Sequence, residues 1–283
     1  MWGRNKFGEC GLPPENSNRK FTFNHNYICA QTKPFRTTIN EKVISIACGE
    51  YVSLVLTTDG LWSCGDNRYG ALGYDGGNKT TLTKVSNNPF DFRNVIKIKC
   101  SRKSSFFLTK DNELYAFGSN KFGQLANGTE DFVNDSKYGT PQECTGFNDF
   151  KGNIIDIFPV RYGIYILSDN YYLYGIGKNI GHNHLGNYLH DSDGITTTYK
   201  QCVGSDGNYK QIKFVSSKSF GTDIYAIDFD YNVWISGRIR IPYDQDPSLQ
   251  HNGSLFTKIP FFEAASNKIS KISHTDEVVL FMT

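Results

Sequence analysis

The chain has 283 residues, with 30 Lys and Arg against 28 Asp and Glu, 39% hydrophobic residues and 14% aromatics. That length and apolar content can bury a sizeable core and exclude global disorder. The formal charge of +2 argues against a bulk polyanion binder and leaves room for a local basic face. No run of 18 apolar residues is present and residues 1–6 lack an apolar stretch, so neither a transmembrane helix nor a secretory signal is expected. Seven scattered cysteines, none in Cys-x-x-Cys spacing, read as reduced thiols packed as small apolar residues in a nuclear or cytoplasmic setting. The Asn-x-Ser/Thr triplets at Asn78, Asn127, Asn134 and Asn252 then stay unmodified.

In chain order, one pattern recurs. The chain opens on Trp2-Gly3-Arg4-Asn5-Lys6-Phe7-Gly8-Glu9-Cys10-Gly11-Leu12. A full copy follows: Val43-Ile44-Ser45-Ile46-Ala47-Cys48-Gly49, then Leu54-Val55-Leu56-Thr57-Thr58-Asp59-Gly60-Leu61-Trp62-Ser63-Cys64-Gly65, then Asp66-Asn67-Arg68-Tyr69-Gly70-Ala71-Leu72-Gly73. The third copy starts at Val95-Ile96 and runs through Asp111 and Tyr115 to Phe117-Gly118-Ser119-Asn120-Lys121-Phe122-Gly123. The fourth starts at Ile154-Ile155, with Asp169 and Tyr174, and the fifth at Ile212-Lys213, with Asp230 and Trp234. The chain closes on Ile269 to His274 and Val278 to Thr283, a front half that complements the back half at residues 1–12. The turn aspartates 59, 111, 169 and 230 lie 52, 58 and 61 residues apart, a drifting period that one repeat plus variable loops produces.

Asp-Gly or Asp-Asn between two apolar runs is a hairpin signal, and doublets alternating at period two read as strands. A single hairpin cannot bury its own faces, so such units pack side by side. The expectation is an all-β propeller, one domain over residues 1–283, with repeats near 43–75, 95–128, 154–187 and 211–240 and a fifth from 269–283 plus 1–12. Five four-stranded blades result, closed by the two termini, which removes the open edges of an array. The alternative is a fragment of a seven-bladed propeller.

The residues at 46–49, 54–62 and 65–73 resemble the regulator of chromosome condensation repeat; the third copy matches nearly as well, and the fourth and fifth are degenerate. No Trp-Asp dipeptide ends a repeat, as WD40 would need, and the Gly-Gly pair of kelch is missing. The resemblance implies an RCC1-like propeller, typically seven-bladed. Its founding members are exchange factors for the small GTPase Ran with a second face on nucleosomes; other members are scaffolds, ubiquitin-ligase modules or enzyme inhibitors. Fold alone does not choose among these.

In a four-stranded blade, the loops joining strands one to two and three to four share one end. That end is mostly basic here, with Arg4, Lys6, Arg68, Arg102, Lys103, Lys121, Arg161, Lys178, Lys218, Arg238 and Arg240, and with Glu9, Glu50, Asp66, Asp276 and Glu277 as exceptions. The hairpin end carries Asp59, Asp91, Asp111, Glu113, Asp149, Asp169, Asp206 and Asp230. Such a contrast steers an acidic partner to the basic end. The candidate partner-binding residues are Glu50, Tyr51, Arg68, Arg102, Lys103, Arg161, Tyr162, Lys178, Lys218, His274 and Asp276. By the resemblance, Glu50 stands where exchange factors carry an acid, whereas Val52 and Ser104 replace the usual histidine and His274 alone survives in a comparable loop. The long insertions 127–146, 178–198 and 238–256 are candidates for a wedge against a nucleotide site.

Catalytic constellations are missing: there is no Gly-x-x-x-x-Gly-Lys-Ser/Thr loop and no Gly-x-Ser-x-Gly elbow. His182, His184, His190 and Asp191 lie without a cysteine at ligand spacing, so no metal is expected, and no cofactor. The sequence thus points to a monomeric, non-enzymatic interaction module. By the resemblance, its expected activity is guanine-nucleotide exchange on a Ran-type GTPase, with a scaffold or chromatin (histone) binder as the alternative and no membrane partner.

Overall fold

The computed structural model describes residues 1, 3–23, 26–34, 36–37, 39–86, 90–129, 137–147, 149–178, 195–204, 206–218, 221, 223–237, 256–259, 268–274 and 279–283. The chain divides into two units, Met1–Asn120 with Phe132–Cys144, and Lys121–Asp131 with Thr145–Thr283.

The first unit holds three sheets. β1 (Gly3–Arg4), β2 (Arg19–Phe23) and β3 (Asn26–Gln31) pair in the order β1-β3-β2. β4 (Val43–Cys48), β5 (Val52–Thr57), β6 (Gly60–Gly65) and β7 (Lys79–Lys84) form an antiparallel sheet in chain order, and β8 (Val95–Cys100), β9 (Ser104–Thr109), β10 (Leu114–Ser119) and β11 (Lys137–Glu143) repeat it. In the second unit the same four-stranded plan recurs in β12 (Ile154–Val160), β13 (Gly163–Ser168), β14 (Leu173–Lys178) and β15 (Ile195–Gln201), and in β16 (Ile212–Ser217), β17 (Ile224–Asp228), β18 (Val233–Ser236) and β19 (Thr257–Lys258). β20 (Lys271–His274) and β21 (Val279–Met282) form a two-stranded sheet. Among the described residues, no helix is long and apolar enough to cross a membrane.

The four internal repeats are therefore the four four-stranded sheets. Residues 19–31, not assigned to strands from the sequence, form the β2–β3 hairpin, and β1 pairs with β3. β1, only two residues long, finds its hydrogen-bonding edge locally, with Asn5 N–H adding a bond to Cys29 O at 2.8 Å.

Packing explains which strands alternate. β5, β9 and β13 are buried at every residue, because apolar neighbours cover both faces of a second strand. Leu54, Leu56 and Leu61 share one core with Val95, Ile98, Phe107 and Phe117 of the next sheet; Tyr165, Leu167 and Leu173 share another with Ile212, Ile224 and Trp234. Each such side chain contributes roughly 1.5–3 kcal/mol by leaving water. The first strands behave otherwise. Register shifts in all four four-stranded sheets at the second residue of the first strand, at Ile44, Ile96 and Ile155 of the apolar doublets and at Lys213 in the Ile212-Lys213 pair, so each is a β-bulge. The bulged side chains point out, with Ile44 52%, Ile96 48% and Ile155 40% exposed.

The aromatic before each strand-three glycine is core only in part. Tyr174 and Trp234 are buried, whereas Trp62 and Tyr115 are half-buried, and Trp2 lies outside the described residues. Six of the seven thiols are buried as expected; Cys48 is exposed at the end of β4. Burial pushes the Cys10 thiol up to about 11 and those of Cys64 and Cys100 up to about 12.

Candidate partner-binding loops

Three glycines fix where the loops sit. Gly65, Gly118 and Gly177 end the third strands at φ +115°, +117° and +121°, and a Cβ there would lie 2.0, 2.3 and 2.3 Å from the carbonyl oxygens of Tyr51, Lys103 and Tyr162. Without side chains, the backbones meet: Asp66 N donates to Tyr51 O at 2.8 Å, Ser119 N to Lys103 O at 3.0 Å and Lys178 N to Tyr162 O at 2.9 Å. The two loops at one end of each sheet are thereby locked together.

The following Gly-x-Asn-Arg/Lys-Phe/Tyr-Gly segment is organised from inside. Asn67 is buried; its Nδ2 donates to Tyr74 O at 2.9 Å and Gly76 O at 3.1 Å, and its Oδ1 accepts from Leu72 N at 3.0 Å. Asn78, the head of one glycosylation triplet, accepts from Asn67 N at 2.8 Å. Asn5 repeats the device, donating to Leu12 O and Ser17 Oγ and accepting from Cys10 N. Glu9 accepts from Phe7 N at 2.6 Å and Lys6 N at 3.1 Å, and Gln124 accepts from Phe122 N at 2.7 Å at the equivalent place. Burial of Glu9 pushes its carboxyl above the ordinary value of 4.5 despite those backbone donors. A raised carboxyl stabilises the fold while protonated, and that contribution is lost as pH rises through the raised value. Glu9→Gln, which copies Gln124, is therefore expected to gain stability relative to the parent as pH rises from about 4 to about 7; thermal midpoints across that range check it, and parallel curves would contradict it.

On this frame the first unit carries a chain of cations and rings. Arg102 Nε pairs with Glu50 Oε2, and a hydrogen bond to Glu50 is the main cause raising the Tyr51 phenol. Tyr51 meets Phe7 edge-on at 5.1 Å. The Arg4 guanidinium lies 5.1 Å from the Tyr51 ring, that of Arg68 4.9 Å from the Phe7 ring, and Lys103 Nζ 3.9 Å from the Tyr69 ring. Arg68 is also held by the buried Asp66 carboxylate, Nη2 to Oδ2 at 2.6 Å, while its own side chain stays 57% exposed. Five sequence candidates (Glu50, Tyr51, Arg68, Arg102 and Lys103) thus form one cluster.

The second unit repeats it in smaller form. Phe122 meets Tyr162 edge-on at 5.2 Å, Lys178 Nζ lies 5.4 Å from the Phe122 ring, and the Arg161 guanidinium 4.9 Å from the Tyr162 ring. Lys218 is carried on an adjoining loop: its carbonyl accepts from Gly221 N, and Gly221 O accepts from Arg161 N. His274 stands apart; its Nδ1 is 3.0 Å from Ser216 Oγ and its ring 4.8 Å from Tyr225. Asp276, with Glu277, Arg238, Arg240, His182, His184, His190 and Asp191, lies outside the described residues, as do residues 130–136, 179–194 and 238–255 of the three insertions. Val52 and Ser104, where the histidines were expected, open their strands as buried residues.

Sequence reasoning missed the rings of Phe7, Tyr69 and Phe122, although an aromatic before the second glycine recurs in three copies. The hairpin end is less acidic than its composition suggests: Asp59 pairs with Lys84, Asp91 with Arg93, Asp149 with Lys200 and Asp206 with Lys210.

Two models of the regulator of chromosome condensation (RCC1) repeat match the chain, one at residues 43–71 and 95–124, the other at 1–56 and 111–158. The chain is 37% identical over 95 residues to the human E3 ubiquitin-protein ligase HERC2, covering 32% of this chain and 2% of that protein. It is 28% identical over 224 residues to an RCC1 repeat-containing protein of Dictyostelium discoideum, covering 76% of this chain and 42% of the relative. It therefore spans less than half the length of these curated relatives. Among solved structures, human WBSCR16 matches with a TM-score of 0.75 at 20% identity over 96% of this chain and 67% of the other. Prp20p from Saccharomyces cerevisiae, described with its binding properties to Gsp1p and histones, matches with a TM-score of 0.69 at 18% identity over 93% and 58%. At those identities the likeness concerns the fold, which is the RCC1-like β-propeller class. Repeat models thus match the chain within residues 1–71 and 95–158, where the repeat's glycines and loop asparagines organise the loops, and over those residues the chain is similar to the regulator of chromosome condensation (RCC1) repeat.

Proposed function

We propose that this chain is a binding module without covalent chemistry that docks an acidic protein partner on its cation–aromatic loops, and that the partner is a Ran-type small GTPase whose nucleotide release it promotes. The observation that supports this reading is the contiguous cluster of Arg4, Tyr51, Phe7, Arg68, Tyr69 and Lys103, with Glu50 held by Arg102 beside it. Rings hold the cations extended, so less side-chain freedom is lost when a carboxylate arrives. Exchange needs only that the nucleotide-free GTPase bind better than the loaded one. The setting is nuclear or cytoplasmic, the chain monomeric.

The test is release of a fluorescent nucleotide from a Ran-type GTPase. The parent accelerates release, and the association rate falls with added salt. Glu50→Ala, Arg102→Ala and Lys103→Ala each weaken binding by roughly five- to tenfold, about 1 kcal/mol, with unchanged thermal midpoints. No acceleration would end the exchange reading; unchanged affinity in all three variants would show that the partner uses another surface. A second reading has an observation of its own. The Glu50 carboxylate is already engaged by Arg102 and Tyr51, and the residues described around it include no histidine partner. A plain scaffold or histone binder would bind its partner through these loops and leave nucleotide release unaltered.

A further inference from the structure

The hairpins joining the second to the third strands in the second unit carry a feature that the loop cluster does not explain. In three sheets this turn is built alike, with the fourth residue bonded back by its N–H to the last residue of the second strand: Asn112 to Thr109 O at 3.2 Å, Tyr171 to Ser168 O at 2.8 Å and Tyr231 to Asp228 O at 3.1 Å. The fourth residue is left-handed each time, with φ of +65°, +65° and +67°. Asn112 suits that conformation; a tyrosine is strained in it. Two bulky residues are therefore held where asparagine or glycine would be more stable, and strain of this kind marks positions kept for a task.

These tyrosines stand in an exposed aromatic group. Tyr171 is 42% and Phe229 47% exposed, and their rings meet edge-on at 5.0 Å. Lys213, the bulged residue of β16, reaches the Tyr231 ring at 4.2 Å and its hydroxyl at 3.1 Å, and Lys268 lies 4.6 Å from the same ring. Three lysines elsewhere on the hairpin end are ion-paired, Lys84 with Asp59, Lys200 with Asp149 and Lys210 with Asp206. Among the described residues, neither Lys213 nor Lys268 has a carboxylate partner, and Asp230 in the same turn pairs with neither.

We infer that Tyr171, Phe229 and Tyr231, with Lys213 and Lys268, form a second docking surface, and that it takes an extended acidic peptide segment of a protein partner. The edge-on rings supply two walls at right angles, which accept a proline or aromatic side chain, and the two ammonium groups are complementary to flanking carboxylates. A single-stranded nucleic acid also stacks on aromatic rings. The exposed carboxylates of Asp169 and Asp230 around the group disfavour a continuous row of phosphates, whereas a peptide can place its isolated charges on the lysines alone. This surface is separate from the loop cluster, and the inference stands whichever partner those loops bind.

The test uses the full chain in fluorescence polarisation against an array of peptides about twelve residues long, each with three carboxylates around one Tyr, Phe or Pro. The same peptides with Asn and Gln for the acids, and a labelled polyuridine of about ten nucleotides, serve as comparisons. Acidic ring-bearing peptides bind, and their neutral counterparts bind at least roughly tenfold more weakly. The double variant Tyr171→Asn, Tyr231→Asn and the variant Lys213→Glu each lose roughly tenfold in peptide affinity. Because asparagine occupies the equivalent turn at Asn112, the double variant melts at or above the parent, so its loss of binding is not loss of fold. The inference is overturned if no acidic peptide binds, if the double variant binds peptide as tightly as the parent, or if polyuridine binds more tightly than every peptide and loses that binding in the double variant.

Discussion

Replacing Gly65 by alanine is expected to lower stability by about 4 kcal/mol and the thermal midpoint by roughly 10 °C. Two costs add at this position. A φ of +115° is one that L side chains rarely adopt, and the new Cβ would lie 2.0 Å from Tyr51 O and 3.0 Å from Tyr51 C. Both atoms belong to the backbone, so neither can swing aside. Relief requires the loop bearing Glu50 and Tyr51 to move, and with it the Asp66 N to Tyr51 O bond and the contact with Phe7. Gly76 provides the comparison: its φ is +133° and nothing lies within 4 Å of its would-be Cβ. Gly76→Ala therefore carries the backbone cost alone, about 1 kcal/mol. Equal midpoints for the two variants would show that the close approach contributes nothing. Partner affinity for the loop cluster is expected to fall in Gly65→Ala and to hold in Gly76→Ala.

The same glycine shows what can be read from sequence and what cannot. Its recurrence in four copies, at Gly65, Gly118, Gly177 and Gly237, marks a constrained backbone, and the family resemblance followed from it and its neighbours. That it faces the carbonyl of the preceding loop depends on how strands two and three are registered, which spacing alone does not fix. In sequence the apolar doublets have the look of simple alternation. They are bulges, because one strand has an extra residue at each of four places, and a single sequence does not reveal its partner's count. The basic loops were legible as charge. Their organisation on Phe7, Tyr69 and Phe122 was not, since an aromatic in a polar loop reads equally well as core. The N-terminal hairpin was hidden for a different reason: residues 19–31 lack the Asp-centred turn that marks the other copies. The hairpin-end aspartates looked like an acidic surface because Lys84 and Lys200, their partners, lie 25 and 51 residues away in the chain.

Asn67→Ala should be the most damaging polar substitution in the first unit, costing about 3 kcal/mol in chemical or thermal unfolding. The side chain satisfies three backbone groups at once, and alanine leaves Leu72 N, Tyr74 O and Gly76 O without it. Each buried group left without a partner costs roughly 1–3 kcal/mol, and water can reach some of them only by opening the turn. Asn67→Asp separates donor from acceptor: Oδ still accepts from Leu72 N, but neither carbonyl is served, and a buried charge is added. It is expected to be no milder than alanine. Asn5→Ala should give a similar loss, since Asn5 serves Leu12 O, Ser17 Oγ and Cys10 N in the same way. The consequence reaches function because Arg68 and Tyr69 ride on the Asn67 turn, while Lys103 is carried by the next sheet. Partner affinity in Asn67→Ala should therefore fall by more than in Lys103→Ala alone. A variant that unfolds less than about 1 kcal/mol more easily than the parent would mean that the asparagine decorates the turn instead of building it.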